Sequence, residues 1–213
     1  IVMDFMEKGS LYKLLNDESC GLCDLDYDNT KRQIILIGIA YGMAILHKNE
    51  VIHRDLKPSN VLLDNSYRPY IADFGLSKIL DPENKSIQSQ NCGTLKYMAP
   101  EVITSFKYGR KVDVYSFGIL MHEVVNGNIS YQDQNDTNYV FLDKVLKGLR
   151  PKFNLPIKKS LKNMIEKCWS KEPENRPSFI EIFWKLSLFD EEEDFTEFEE
   201  LKELKNINYE PVI

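Results

Sequence analysis

The sequence predicts an α+β fold that is mainly α-helical, and two kinds of segment indicate it. Thr30–Lys48 and Val112–Val125 are long and apolar on most sides, as expected of deeply buried helices. Val61–Leu63 and Tyr70–Ala72 are short apolar runs separated by the polar turn Asp64–Ser66, and they predict a pair of strands. There is no internal repeat, so we expect one helical body with a small β element.

The other elements follow from local signals along the chain. Ser10 is a typical N-cap residue that precedes an apolar run, so a short helix is predicted after it, followed by a loop over residues 16–29. Residues 77–97 are polar and are predicted to be irregular. Leu161–Cys168 and Ser178–Leu188 predict two further helices, with prolines between them that would end the first.

The charge of the chain is unevenly distributed. The 213 residues carry a net charge of −6, but residues 189–213 contain ten acidic and only two basic side chains. The terminal segment therefore carries −8 and the rest of the chain +2. A nearly neutral body without clustered Lys and Arg predicts no nucleic-acid partner. The acidic segment has Phe195, Phe198, Leu201 and Leu204 on one broad face if it is helical, and a solvated extension is the alternative.

The cysteines and the apolar runs exclude two further classes. Four cysteines in a chain of this length do not form a disulfide framework, and the Cys20/Cys23 pair lacks the second pair or His cluster of a zinc site. The longest uncharged apolar run, Ile34–Leu46, has 13 residues and is too short to span a bilayer. With no signal peptide visible, we expect a cytoplasmic protein without a membrane span.

Three motifs carry the chemistry of the sequence. His53-Arg54-Asp55-Leu56-Lys57-Pro58-Ser59-Asn60 is followed by Asp73-Phe74-Gly75 and then by Ala99-Pro100-Glu101. By these motifs, in this order, the chain resembles the protein kinase superfamily. The resemblance covers about residues 1–188 and predicts a protein-kinase-like C-terminal lobe. It implies a partial kinase domain over 1–188 and an acidic C-terminal extension over 189–213.

The resemblance assigns roles to four residues of these motifs. Asp55 is similar to the catalytic carboxylate that orients the substrate hydroxyl and accepts its proton, and Lys57 would place a cation near the γ-phosphate of ATP. Asn60 and Asp73 are oxygen donors suited to Mg²⁺, so they are the predicted metal ligands and help to bind the nucleotide. His53 is predicted to pack against the Phe of the second motif rather than to transfer a proton.

Other positions indicate the specificity of the kinase and the residues that hold its loops in place. The Lys57-Pro58 pair and Thr94 are typical of Ser/Thr kinases, and further segments resemble the tyrosine-kinase-like group of Ser/Thr kinases. Thr94 lies in the loop before Ala99-Pro100-Glu101, which we call the substrate loop, and it is predicted to tie this loop to the catalytic loop, His53–Asn60. Phosphorylation of its hydroxyl is the alternative. The resemblance also makes Asp113 the carboxylate that holds the catalytic loop. Glu101 and Arg176 resemble a buried ion pair of the family, and its predicted role is architectural.

The first residues resemble the hinge between the two lobes of a kinase. By that match Met3 is the gatekeeper, and Asp4 and Met6 offer a backbone C=O and N–H to adenine. Leu62 would lie under the adenine ring. The chain starts at Ile1, and the Gly-rich loop, the strand lysine and its glutamate partner are absent from it. We therefore expect the small N-terminal β lobe to be missing and the 213 residues alone to have little activity.

The stretch from Asp73 to Glu101 resembles an activation segment. Arg54 directly before the catalytic Asp is typical of kinases that are switched on by phosphorylation, so phosphate on Ser86 or Ser89 is predicted to pair with it. The expected partners are protein substrates and an upstream kinase. The predicted function is transfer of the ATP γ-phosphate to Ser/Thr hydroxyls of proteins. One alternative is a kinase-like scaffold, or pseudokinase, without phosphotransfer. A tyrosine or dual-specificity kinase is the other, and Lys57 disfavours it.

Overall fold

A computed structural model of the chain describes residues 5–22, 26–79, 87–88, 93–105, 107–132 and 136–188. These ranges contain the following helices: α1 (Leu11–Ser19), α2 (Asn29–Lys48), α3 (Pro100–Thr104), α4 (Lys111–Asn126), α5 (Asn138–Leu146), α6 (Lys159–Cys168) and α7 (Phe179–Leu188). They also contain short strands: β1 (Gly9–Ser10), β2 (Val51–Ile52), β3 (Val61–Leu63), β4 (Pro69–Ile71), β5 (Lys78–Ile79), β6 (Ile87–Gln88) and β7 (Lys107–Tyr108). The predicted α+β, mainly helical class is confirmed.

The core of the molecule is helical and is centred on α4. Almost every residue of α4 is buried, including the ionisable residues Asp113 and Glu123, because α2 and α6 pack against it. Helix α2 is buried along most of its length and also packs on α7. A helix that is apolar on all sides is stable in water only when neighbours cover it, which explains why both long apolar segments became central helices.

The small sheet is fixed to α2 by a close approach of backbones. Strands β1, β3 and β4 form an antiparallel sheet in the order β1-β3-β4. A Cβ at Gly38 would lie 2.5 Å from Cγ of Pro69, and one at Gly42 would lie 2.9 Å from Cδ1 of Ile71. The two glycines therefore let β4 lie directly on α2. This contact sets the position of the residues that follow β4, which carry the second motif.

Several predicted boundaries are corrected by the structure. The loop predicted over 16–29 is shorter, because α1 continues to Ser19 and α2 already begins at Asn29. Glu18 in the last turn of α1 forms an ion pair with Arg32 of α2, and Asp28 caps α2 by accepting the Lys31 N–H at 3.0 Å. These polar contacts between two helices are not visible as local patterns. Residues 1–4 and 189–213 lie outside the described residues, so the domain boundary at 188 stays a prediction.

The described residues contain neither a candidate membrane span nor a ready-made metal-binding cluster. No helix among them is long and apolar enough to cross a membrane. In the same ranges, no group of three or more His, Cys, Asp or Glu side chains is arranged to hold a metal ion. Of the predicted pair of thiols, Cys20 is exposed and Cys23 lies outside the described part of the chain.

Candidate active site

A single buried carboxylate holds the catalytic loop, His53–Asn60. Asp113 is in the first turn of α4 and accepts the backbone N–H groups of His53 at 2.9 Å and of Arg54 at 2.8 Å. Its Oδ2 also lies 2.8 Å from Nε2 of His47, near the end of α2. The loop backbone has a φ of 69° at Arg54, a left-handed conformation that costs a non-glycine residue about 1–2 kcal/mol. The hydrogen bonds to Asp113 offset this strain, in agreement with the role predicted for it.

Asp55 is at the centre of a compact polar network. Its Oδ1 accepts the N–H and the hydroxyl of Thr94, both at 2.9 Å. Its Oδ2 lies 2.6 Å from Nζ of Lys57 and accepts Nδ2 of Asn60 at 3.1 Å. Asp55 is only 7% exposed, so each of its oxygens is satisfied by protein groups rather than by bulk water. The structure thus brings three predicted site residues together around one carboxylate.

Thr94 joins this network to the C-terminal part of the predicted activation segment. The Lys57 ammonium donates to its Oγ1 at 2.8 Å, while the same hydroxyl donates to Asp55. The predicted tie between the two loops is therefore formed. Gly93 makes it geometrically feasible, because its φ is +109° and a Cβ there would lie 2.7 Å from the Arg54 carbonyl oxygen. Only glycine allows the two backbones to approach this closely.

Both ring nitrogens of His53 are engaged in hydrogen bonds within the protein, which leaves neither to exchange a proton with a substrate. Its Nε2 lies 3.1 Å from the Ala72 carbonyl oxygen, and its Nδ1 accepts the Asp55 N–H at 3.3 Å. The first contact requires a proton on Nε2 and the second a lone pair on Nδ1, so the ring is held as one neutral tautomer. Its centroid lies 5.3 Å from that of Phe74, which is the ring contact that the sequence predicted.

The predicted cation ligands come from two neighbouring strand ends. Asn60 lies just before β3 and its carbonyl accepts the Ala72 N–H at 2.9 Å, which brings Asp73 after β4 to the same edge. Nδ2 of Asn60 donates to Asp55, so its amide oxygen is the atom left for a cation. The Asp73 carboxylate is exposed, at a left-handed φ of 62°, and its Oδ1 accepts the Gly75 N–H at 3.3 Å. One amide oxygen and one exposed carboxylate fit Mg²⁺, which prefers oxygen ligands and keeps phosphate or water oxygens in its other positions.

The residues predicted to contact adenine are described only in part. Asp4 and the gatekeeper Met3 lie outside the described residues. The Met6 carbonyl accepts the Gly9 N–H at 2.9 Å, and the contact of the Met6 N–H with adenine stays a prediction. Leu62 lies on β3 between buried Val61 and Leu63, and it is half-buried. Since side chains alternate along a strand, Leu62 points away from the core, as a residue under a bound base must.

Of the residues in the predicted phosphate switch, the structure describes Arg54 but not the two serines. Ser86 and Ser89 lie outside the described residues. The Arg54 guanidinium donates through Nε to the Leu76 carbonyl oxygen, and its Nη1 lies 3.5 Å from the Tyr108 hydroxyl. A phosphate that pairs with Arg54 would therefore compete with existing contacts. The regulatory role of these serines stays a prediction.

One buried carboxyl in this region was not predicted. Glu123 on α4 is fully buried, and the Tyr97 hydroxyl lies 3.1 and 3.0 Å from its two oxygens. It also accepts the Ser130 N–H at 2.8 Å. Burial raises the pKa of Glu123 to about 8. Tyr97 follows Thr94 by three residues, so its contact with the Glu123 carboxyl attaches the substrate loop to helix α4. A glutamate inside an otherwise apolar helix was the available signal for it.

The predicted architectural ion pair is formed. Arg176 is 1% exposed and contacts Glu101 through two parallel bonds of 2.6 and 2.8 Å. Its remaining donors reach the carbonyl oxygens of Ser170, Lys171 and Lys111. Buried charges occur in proteins when they are paired and hydrogen-bonded, and this guanidinium meets that condition. The pair fastens the end of the substrate loop to the helical core.

A helical lobe that presents a carboxylate, an ammonium group and cation-binding oxygens on adjacent loops is the arrangement that phosphoryl transfer uses. Comparison with known families agrees with this class. Residues 1–185 match the family of the protein kinase domain, so the chain belongs to the protein kinase family. The resemblance seen in the sequence is confirmed.

Individual relatives include kinases of more than one specificity. The chain is 37% identical over 179 residues to an RGS domain-containing serine/threonine-protein kinase A of Dictyostelium discoideum, covering 84% of this chain and 15% of that protein. It is 33% identical to the serine/threonine-protein kinase STY17 of Arabidopsis thaliana, covering 88% of this chain and 31% of the relative. It is 36% identical to the Arabidopsis serine/threonine/tyrosine-protein kinase HT1, covering 90% and 47%. The chain thus spans less than half the length of each.

Proposed function

We propose that the protein carrying this chain is a Ser/Thr protein kinase that transfers the γ-phosphate of ATP to hydroxyl groups of protein substrates. The observation that supports it most directly is the network around Asp55, in which Lys57, Asn60 and Thr94 all contact the carboxylate. A purely structural role would not require a carboxylate, an ammonium group, an amide and a hydroxyl to converge next to a predicted cation-binding carboxylate, Asp73.

In this proposal Asp55 orients the substrate hydroxyl and accepts its proton. Both of its oxygens are occupied at present, so an incoming hydroxyl would replace one of the existing donors, such as the hydroxyl of Thr94. Lys57 is half-buried beside it and would place its ammonium group against the transferring phosphate. Asn60 and Asp73 would hold Mg²⁺, whose charge neutralises the phosphate oxygens when the ion is bound. The Met6 N–H, Asp4 and Leu62 would contact the adenine.

The preference for serine and threonine rests on Lys57 and Thr94. The ammonium of Lys57 and the hydroxyl of Thr94 are 2.8 Å apart and bridge the catalytic loop and the substrate loop. In the proposed enzyme this bridge would limit how far a substrate hydroxyl has to reach, which supports the proposal of a short Ser or Thr side chain as the acceptor. Because relatives such as HT1 are named for tyrosine as well, dual specificity is the competing hypothesis.

The proposed activity requires parts of a kinase beyond these residues, together with protein partners. The 213 residues contain no counterpart of the Gly-rich loop or the strand lysine of complete kinases, so activity should be measured on the full-length protein that carries this chain. We also propose protein substrates, an upstream kinase that acts on the activation segment, and a cytoplasmic location. A scaffold without phosphotransfer is the alternative.

Phosphoamino-acid analysis tests the proposed specificity. The full-length protein is incubated with radiolabelled ATP, Mg²⁺ and a generic protein substrate, and the product is hydrolysed. Label on phosphoserine and phosphothreonine supports the proposal. Label that is mainly on phosphotyrosine contradicts the specificity, and the absence of label from all three residues favours the scaffold.

A further inference from the structure

The outer face of α7 presents an apolar stripe that no described residue covers. Ile180, Trp184 and Leu188 recur every four residues and are 49%, 57% and 57% exposed. They lie opposite the buried side of the same helix, which carries Phe179, Ile182, Phe183 and Leu186. Since this stripe comes in addition to a complete core-facing side, α7 is apolar on two opposite sides. An isolated surface leucine is ordinary, but three large side chains in one row indicate a surface that another segment contacts.

A groove with basic edges lies beside this stripe. It runs between α6 and α7, has a volume of about 340 Å³, and is lined by Met164, Lys167, Lys185 and Leu188 among others. Leu188 belongs to both the stripe and the groove. The groove therefore extends the apolar surface and places two ammonium groups at its rim.

We propose that residues 189–213 of the same chain dock on this surface, which we call the α7 face (Ile180, Trp184, Leu188 and the adjoining groove). The segment begins directly at the last residue of α7, so it is tethered at one end of the stripe. Its 25 residues can easily reach back, since the stripe is only about 12 Å long at 1.5 Å per helical residue. A tether of this kind gives the segment an effective concentration of order millimolar, which no free partner has.

The chemistry of the segment complements that of the α7 face. It carries a charge of −8 from ten acidic and two basic residues, opposite in sign to Lys167 and Lys185. Its apolar residues Phe195, Phe198, Leu201 and Leu204 recur at every third position and could cover the stripe. Six residues separate Leu188 from Phe195, enough for the chain to reverse direction before the apolar repeat begins. Docking would thus bury the stripe and pair the two lysines with carboxylates.

Trp184 provides a direct probe of this docking. The chain has two tryptophans, and the other, Trp169, is 5% exposed, so the exposed emission belongs to Trp184. Subtracting the emission of Trp184→Phe from that of the 213-residue chain isolates its signal. Acrylamide is the appropriate quencher, because it is neutral and is not repelled by the acidic segment. Circular dichroism confirms that each variant is folded.

We expect the tail variant F195S/F198S/L201S/L204S to shift the Trp184 emission to longer wavelength and to raise its quenching constant roughly twofold. The matched control I207S/V212S/I213S removes apolar residues from the same segment outside the repeat and should behave as the unchanged chain. Charge reversal by K167E/K185E should weaken the protection, whereas K144E/K147E at the C-terminal end of α5 should not. High salt should act like the charge reversal, since exposed pairs are screened.

Three outcomes would overturn the proposal. Equal quenching of Trp184 in the unchanged chain and the tail variant would show that the segment does not cover the stripe. Equal effects of the tail variant and its control would show that the apolar repeat is not what binds. Protection that appears only as the concentration rises from about 1 to about 50 µM would mean that a second copy covers the face, because a tethered segment binds independently of concentration.

Discussion

Glu123 makes the stability of the helical core depend on pH, and the isosteric substitution Glu123→Gln should remove this dependence. The carboxyl is fully buried in α4, where the Tyr97 hydroxyl and the Ser130 N–H are its hydrogen-bond partners. Burial disfavours the charged form and raises the pKa of Glu123 from its ordinary 4.5 to about 8. The folded chain therefore keeps a proton that the unfolded chain has already released.

The sign of the pH dependence follows from this difference. Below the unfolded pKa of 4.5 both states are protonated, and Glu123 makes its full contribution to stability. As pH rises from 4.5 towards 8, only the unfolded state loses the proton, so the free energy of unfolding falls. The slope for one proton is about 1.4 kcal/mol per pH unit. Glutamine has the same shape, keeps an oxygen acceptor for Ser130 and cannot titrate, so E123Q should lack this slope.

Urea denaturation at several pH values measures the effect. Between about pH 5.5 and about pH 7.5, the free energy of unfolding of the unchanged chain should fall by about 2–3 kcal/mol more than that of E123Q. Glu166→Gln, at an exposed position of α6, is the matched control and should keep the slope of the unchanged chain. If the curves of E123Q and the unchanged chain run parallel over this range, the proposed proton uptake by buried Glu123 is wrong.

Three further predictions concern the contacts around the substrate loop. Gly93→Ala should lower kcat/KM of the full-length kinase by at least about tenfold, since its Cβ would lie 2.7 Å from a catalytic-loop carbonyl and displace the loop; unchanged kinetics would contradict this. Arg176→Ala should reduce the free energy of unfolding by about 3–5 kcal/mol, because it leaves Glu101 partly buried without its cation, and a loss below about 1 kcal/mol in urea titrations would argue against that role. Thr94→Val should lower kcat while Thr94→Ser retains it, because serine keeps the hydroxyl that bridges to Lys57; equal loss in both variants would favour a steric role.

The long elements of the fold could be predicted because each carries its own signal. Helices α2 and α4 are long and apolar on most sides, and the β3–β4 pair has a polar turn between two apolar runs. Helix α5 was not predicted, because only Phe141 and Val145 of its nine residues are buried and the remainder show no period. Helix α3 has five residues and begins at Pro100, within a motif that indicated function rather than structure.

In the candidate site, residues that lie in motifs could be predicted, whereas contacts between distant segments could not. Asp55, Lys57, Asn60 and Asp73 could be singled out because they lie in short motifs that resemble a known family. The partnership of Glu123 with Tyr97 could not, because it joins residues 26 positions apart whose approach depends on how α4 packs under the substrate loop. His47 meets Asp113 across 66 positions for the same reason. Contacts between distant segments have no local pattern in a single sequence.

The measurement that tests the central claim most directly compares the full-length protein with its Asp55→Asn variant. Asparagine keeps an oxygen acceptor and nearly the same shape, so the loop should remain folded, while the group can no longer accept a proton from the substrate. Both proteins are assayed for transfer of radiolabelled γ-phosphate from Mg-ATP to a protein substrate, and for ATP binding as a check on folding. The account predicts that the unchanged protein transfers phosphate and that the variant binds ATP but loses activity by about 10²-fold or more. Full activity in the variant, or none in the unchanged protein despite bound ATP, would contradict the assignment of Asp55 as the catalytic base.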